Sequence, residues 1–112
     1  MDPYMFSFFP AYLIDRVEGR MALFRGDLIR ADERLSAAAE FFRECTYRDD
    51  EWRTRRALAK VKERRADKAA AEHELQLVIT GAEAHGHVFE ANAARRQLQD
   101  LERRLIRAGP VG

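Results

Sequence analysis

A chain of 112 residues and 13.0 kDa holds one small domain, and its 17 Arg, 3 Lys and 19 acidic residues leave a net charge of only +1, low for a protein coated by nucleic acid. With 18 Ala, 6 Gly and 3 Pro it has neither the turn-rich strands of an all-β sandwich nor the length and glycine-rich loop of a nucleotide-binding α/β enzyme. The composition is that of long helices, and the expected fold is all-α: an elongated helical hairpin, or a three-helix up-down-up bundle with coiled-coil-like heptad seams.

Residues 1–10 form an aromatic segment. Tyr4, Phe6, Phe8 and Phe9, with Tyr12 just beyond, crowd five aromatics into twelve residues. Exposed, they make an adhesive patch for a partner subunit or a membrane edge; folded back, they cap the chain's own bundle. The segment is too short to cross a bilayer and lacks the basic start of a secretory signal.

A helical domain over 11–108 follows. Its first helix is expected at about 11–45, because Ile14, Val17, Met21, Phe24, Leu28, Ala31, Leu35, Ala38, Phe42 and Cys45 recur at alternating spacings of three and four. Gly19 and Gly26 sit off this seam, seven apart on one face, and read either as tolerated surface glycines or as a place where another helix approaches closely.

A second helix is expected at about 50–80, opened by Asp49 or Asp50 and stopped at Gly81. Trp52, Leu58 and Val61 are apolar at its start and Leu75, Leu77, Val78 and Ile79 at its end, with only alanines between Lys62 and Glu74. Arg53 to Lys68 carries eight cations against Glu63 and Asp67, a net of +6, more than local pairing neutralises. Arg53, Arg55, Arg56, Lys60, Arg64 and Arg65 are therefore candidate contacts to an acidic partner or to phosphate.

His85-Gly86-His87 falls in a loop over 81–87. No second cluster of ligands completes a metal site there, so it reads as a solvated turn. The third helix is expected at about 88–108, with Leu98, Leu101 and Leu105 on its seam, and Gly109-Pro110 begins the tail 109–112. No internal repeat is apparent.

Ser7, Ser36 and Cys45 lack the neighbours of a nucleophile, and Asp49-Asp50 is explained as a helix start. No enzyme, cofactor, metal or small-molecule substrate is expected. The single Cys45 forms no internal disulfide, and a reducing intracellular compartment, cytoplasm or organelle, is the default expectation.

Leu23-Phe24-Arg25, followed by Leu28, Ile29, Arg30 and Ala31, resembles the opening of the LYR-motif proteins. These are small three-helix subunits or assembly factors of mitochondrial complexes that bind an acyl-carrier protein. The resemblance covers residues 23–31; Phe24 replaces the motif tyrosine, and Arg34 stands where the family's downstream phenylalanine falls. It implies an accessory or assembly factor of a mitochondrial complex. The residues themselves point to a non-catalytic helical scaffold or accessory subunit whose partners are other proteins, joined by helix–helix and aromatic-anchor contacts. The alternative is a nucleic-acid or phosphate-binding module using 53–68.

Overall fold

The structure, a computed structural model, describes residue 16 and residues 18–107. Five helices run through them: α1 over 18–25, α2 Leu28–Glu44, α3 Arg48–Arg64, α4 Lys68–Ala84 and α5 Val88–Arg107. The all-α class holds, but the three long helices do not. The expected first helix breaks at Gly26-Asp27 and the expected second at Ala66-Asp67; the expected stop at Gly81 is instead helix interior, with α4 continuing to Ala84.

The breaks share one construction. Gly26, Thr46, Ala66 and Gly86 take left-handed backbone at φ of 83°, 58°, 61° and 73°. Each donates its N–H to the carbonyl three residues back, and the next residue donates to the carbonyl five back, as in Asp27 N to Ala22 O at 2.8 Å and Asp67 N to Lys62 O at 2.9 Å. This pair of bonds satisfies the last carbonyls of a helix and reverses the chain. The next helix then starts at once. Asp27 and Asp67 cap it by accepting from Arg30 N at 3.3 Å and Ala70 N at 3.2 Å. The turns recur every twenty residues, so α2, α3 and α4 are each 17 residues long and about 25 Å at ~1.5 Å per residue. The chain therefore does contain a repeat, one of backbone geometry.

Successive helices pack antiparallel, α2 on α3, α3 on α4 and α4 on α5, while α3 also touches α5 directly. Side chains show how α1 fits: Arg16 Nη1 donates to Asp50 Oδ1 at 2.6 Å, and Arg64 Nη1 donates to Leu23 O at 2.9 Å. On the other side, Gln97 Nε2 donates to Arg56 O at 2.8 Å and Arg104 Nε to Glu63 at 2.7 Å. Thus α1, α3 and α5 lie parallel in one layer, with α3 central, and α2 and α4 pack on them as a second layer.

Two apolar clusters meet at α3. One joins Leu58 and Val61 to Ala22, Ala31 and Leu35; the other joins Trp52 and Ala59 to Ala71, Leu75, Val78, Ala91 and Leu101. Of the two readings of Gly19, close approach is the one realised, since a Cβ there would sit 2.7 Å from Leu35 Cγ on α2. Gly26 does not face another helix; nothing lies within 4 Å of its missing Cβ, and its role is the turn. Of the expected seam, Leu35, Phe42 and Leu101 are buried and Leu28 and Leu98 half-buried. Met21 and Phe24, expected on the seam, are instead exposed, Phe24 to 92%, because the apolar stripe crosses the Gly26 turn, which resets the buried face. Ile14, Val17, the side chain of Leu105, and the aromatic residues Tyr4, Phe6, Phe8, Phe9 and Tyr12 lie outside the described residues.

Candidate functional site

The basic run of α3 is sorted by face. Arg55 points to the α2–α4 side and is 8% exposed. Its Nε donates to Glu51 at 2.7 Å and its Nη1 to Glu74 on α4 at 3.0 Å, while Nη2 lies 3.9 Å from Glu40 on α2. Burial acts against this charge, but the bonds from Glu51 and Glu74 prevail and keep the guanidinium firmly protonated. Arg55 therefore holds three helices together. Near the end of α3, Lys62 and Arg65 both reach Asp32 at 2.7 Å, and Arg64 reaches the end of α1. Lys68 pairs with Glu72 on its own helix at 3.9 Å. Seven of the eight cations in 53–68 thus find a partner within the described residues, and pairing within the chain absorbs most of the charge left over in the sequence.

The opposite face of α3 is different. Between α1, α3 and α5 lies a cleft of about 490 Å³, lined by Arg20, Leu23, Arg53, Arg56, Ala57, Lys60, Phe89, Glu90 and Gln97. Among the described residues four cations face one carboxylate. Glu90, in the first turn of α5, is 3% exposed. Its Oε2 accepts from Arg56 Nη1 at 2.8 Å and its Oε1 from Arg53 Nε at 3.3 Å. Arg56 Nε is buried with no hydrogen-bond partner among the described residues.

Arg20 and Lys60 are exposed and make no ion pair among the described residues. Partial burial first, and then the like charges of Arg16, Arg53 and Arg56, lower the Arg20 pKa below its usual value. Phe89, 72% exposed, and half-buried Leu23 and Ala57 add apolar surface to the same cleft.

The sequence points to Arg53, Arg56 and Lys60 but not to Arg20, Phe89 or Glu90. The missing signal is the repeat. Arg20 and Lys60 stand forty residues apart, at the same register of the parallel helices α1 and α3, so the layer brings them to one side. Arg55, Arg64 and Arg65, expected beside them, are held elsewhere by Glu51, Glu74, Leu23 O and Asp32.

The histidines of the α4–α5 turn pack on the indole of Trp52, whose ring lies 4.9 Å from His87 and 6.1 Å from His85. His85 Nδ1 is bound to Gly81 O and His87 Nδ1 to Asp49. Among the described residues no group of three His, Cys, Asp or Glu is placed to hold a metal, and no helix is long and apolar enough to cross a membrane. The LYR-like residues 23–31 straddle the Gly26 turn, so they do not share one helix. No protein-family model matches the chain, nor does any curated protein or solved structure.

Proposed function

We propose that the protein is a non-catalytic helical accessory module that docks a partner protein on the α1–α3–α5 layer. The observation that carries this reading is the contrast between the two faces of α3. Toward α2 and α4 its charges are matched; toward the cleft four cations face a single carboxylate beside an exposed Phe89. Parallel layers of repeated helices supply extended surfaces of this kind for binding other chains. A cleft that joins apolar surface with unmatched charge has the mixed character of a protein-contact site. Nucleic acid is the weaker reading: it calls for a continuous cationic track, and in this chain Asp32, Glu51, Glu72, Glu74 and Glu90 already engage most of the basic run.

The test is capture from the protein's own cellular extract with the wild-type chain and with Arg20→Gln/Lys60→Gln. Both substituted residues are exposed, so the variant should fold and melt like the wild type. A partner retained by the wild type and lost by the variant supports docking in the cleft. Equal capture by both would place docking on another surface.

A further inference from the structure

We infer that the occupant of the cleft is an acidic peptide segment, with carboxylates pairing to Arg20 and Lys60 beside the apolar shelf of Phe89, and that Glu90 is the chain's own carboxylate held in the neighbouring part of the same site. This names the ligand class for the docking reading and rests on it.

Charge complementarity argues for it first. Arg20, Arg53, Arg56 and Lys60 line a space bounded by α1, α3 and α5, and among the described residues only Glu90 answers them. Carboxylate is the chemistry already accommodated there: the Glu90 carboxylate takes one N–H from each of two guanidinium groups. Its side chain is 5% exposed, whereas that of Arg53 is 53% exposed, so one arginine of the pair still reaches the open cleft. Arg20 and Lys60 offer the same kind of donor with nothing bound among the described residues.

Size and composition limit the occupant. A volume of about 490 Å³ takes a few side chains. Among the described residues Phe89 offers the only exposed aromatic surface lining the cleft, and Trp52 is buried in the core, so these residues give successive bases no ladder to stack on. Glu90 also sets a charge against a dianionic phosphate, which it would repel more than a carboxylate.

The experiment uses the full chain and fluorescence anisotropy of a labelled peptide, acetyl-Glu-Glu-Phe-Glu-Glu-amide, at low and moderate salt. Its glutamine counterpart and a single-stranded oligonucleotide of equal charge serve as competitors. The wild type should bind the acidic peptide, and Arg20→Gln/Lys60→Gln should weaken it about tenfold or more. Glu90→Gln should tighten it severalfold, because two arginines lose a competing anion. Circular dichroism melts confirm that each variant is folded.

Equal binding of the glutamine peptide, unchanged binding by the double variant, or tighter binding of the oligonucleotide through the same residues would overturn the inference. Glu90→Gln binding no tighter than the wild type would overturn the part assigned to Glu90. If capture from extract depends on Arg20 and Lys60 while the acidic peptide fails to compete, docking stands and the acidic ligand falls. If capture ignores these residues, the docking reading itself falls.

Discussion

The turns at Gly26-Asp27 and Ala66-Asp67 have one geometry and different residues. Both begin in left-handed backbone, both close with hydrogen bonds from the same relative positions, and both cap the next helix with aspartate. Glycine adopts this conformation without steric penalty, whereas alanine pays about 1–2 kcal/mol. The alanine turn is therefore not formed by local preference. It is imposed by the helices on either side, which bury Trp52, Ala59, Ala71, Leu75 and Val78 only if the chain reverses at that point. The glycine turn agrees with its surroundings; the alanine turn is overruled by them.

The largest effects should come from the packing behind each turn. Leu35 and Leu75 stand eight residues after Asp27 and Asp67, and both are fully buried. Leu35→Ala and Leu75→Ala should each cost about 2–5 kcal/mol in urea unfolding. A much smaller loss for Leu75→Ala would mean that packing does not hold the alanine turn in place.

Each turn is hard to see in the sequence, for opposite reasons. Around Gly26 the apolar spacing Met21, Phe24, Leu28, Ala31 continues unbroken, so the glycine reads as a tolerated residue inside one helix. Around Ala66 there is neither Gly nor Pro, and Ala66, Lys68, Ala69 and Ala70 are good helix formers. The residues in left-handed backbone are Gly, Thr, Ala and Gly, and those at the start of the next helix are Asp, Tyr, Asp and His, so the twenty-residue recurrence is one of backbone and leaves just two matching pairs, Gly26 with Gly86 and Asp27 with Asp67.

Helical class and the burial of Leu35, Phe42 and Leu101 follow from spacing within one helix, and these are legible. Met21 and Phe24 join the stripe only through spacing that runs across a turn, where the period carries no information. The cleft follows the same division. Arg53, Arg56 and Lys60 belong to one helix and stand out, whereas Arg20 and Glu90 join them only through the packing of parallel helices.

A second contrast lies five residues after each cap. Asp32 Oδ2 accepts from Lys62 Nζ and Arg65 Nη1, both at 2.7 Å, and ties α2 to the end of α3. Glu72, at the same register of α4, meets only Lys68 of its own helix among the described residues, at 3.9 Å. Burial would raise the Asp32 pKa, but hydrogen bonds from Lys62, Arg65 and Ser36 outweigh it and hold the carboxyl below its ordinary 3.8. The unfolded chain then takes up this proton first. The contribution of Asp32 is present above pH 3.8 and is lost as pH falls through the lower folded value. Asp32→Asn should cost about 1–2 kcal/mol near neutral pH, with less difference from the wild type in acid. Glu72→Gln should stay within about 0.5 kcal/mol at either pH. Thermal melts at about pH 7 and pH 3 read both.

The smallest effects decide the contrast between the turns most directly. Nothing lies within 4 Å of a Cβ built on Gly26, so Gly26→Ala adds no clash and its effect is purely that of backbone conformation. Alanine disfavours left-handed φ by about 1–2 kcal/mol but also restricts the unfolded chain, which returns about 0.4–1 kcal/mol. The net should be a loss of about 1 kcal/mol, or some 4 °C in melting temperature for a chain of this size. Ala66→Gly reverses both contributions: it relieves the strain at φ 61° and frees the unfolded chain, for a net gain between about 0 and 1.6 kcal/mol. Opposite signs in the two variants support a turn formed by preference at 26 and by packing at 66. A clear loss of stability on Ala66→Gly would show that the alanine methyl contributes contacts at the turn that outweigh its strain.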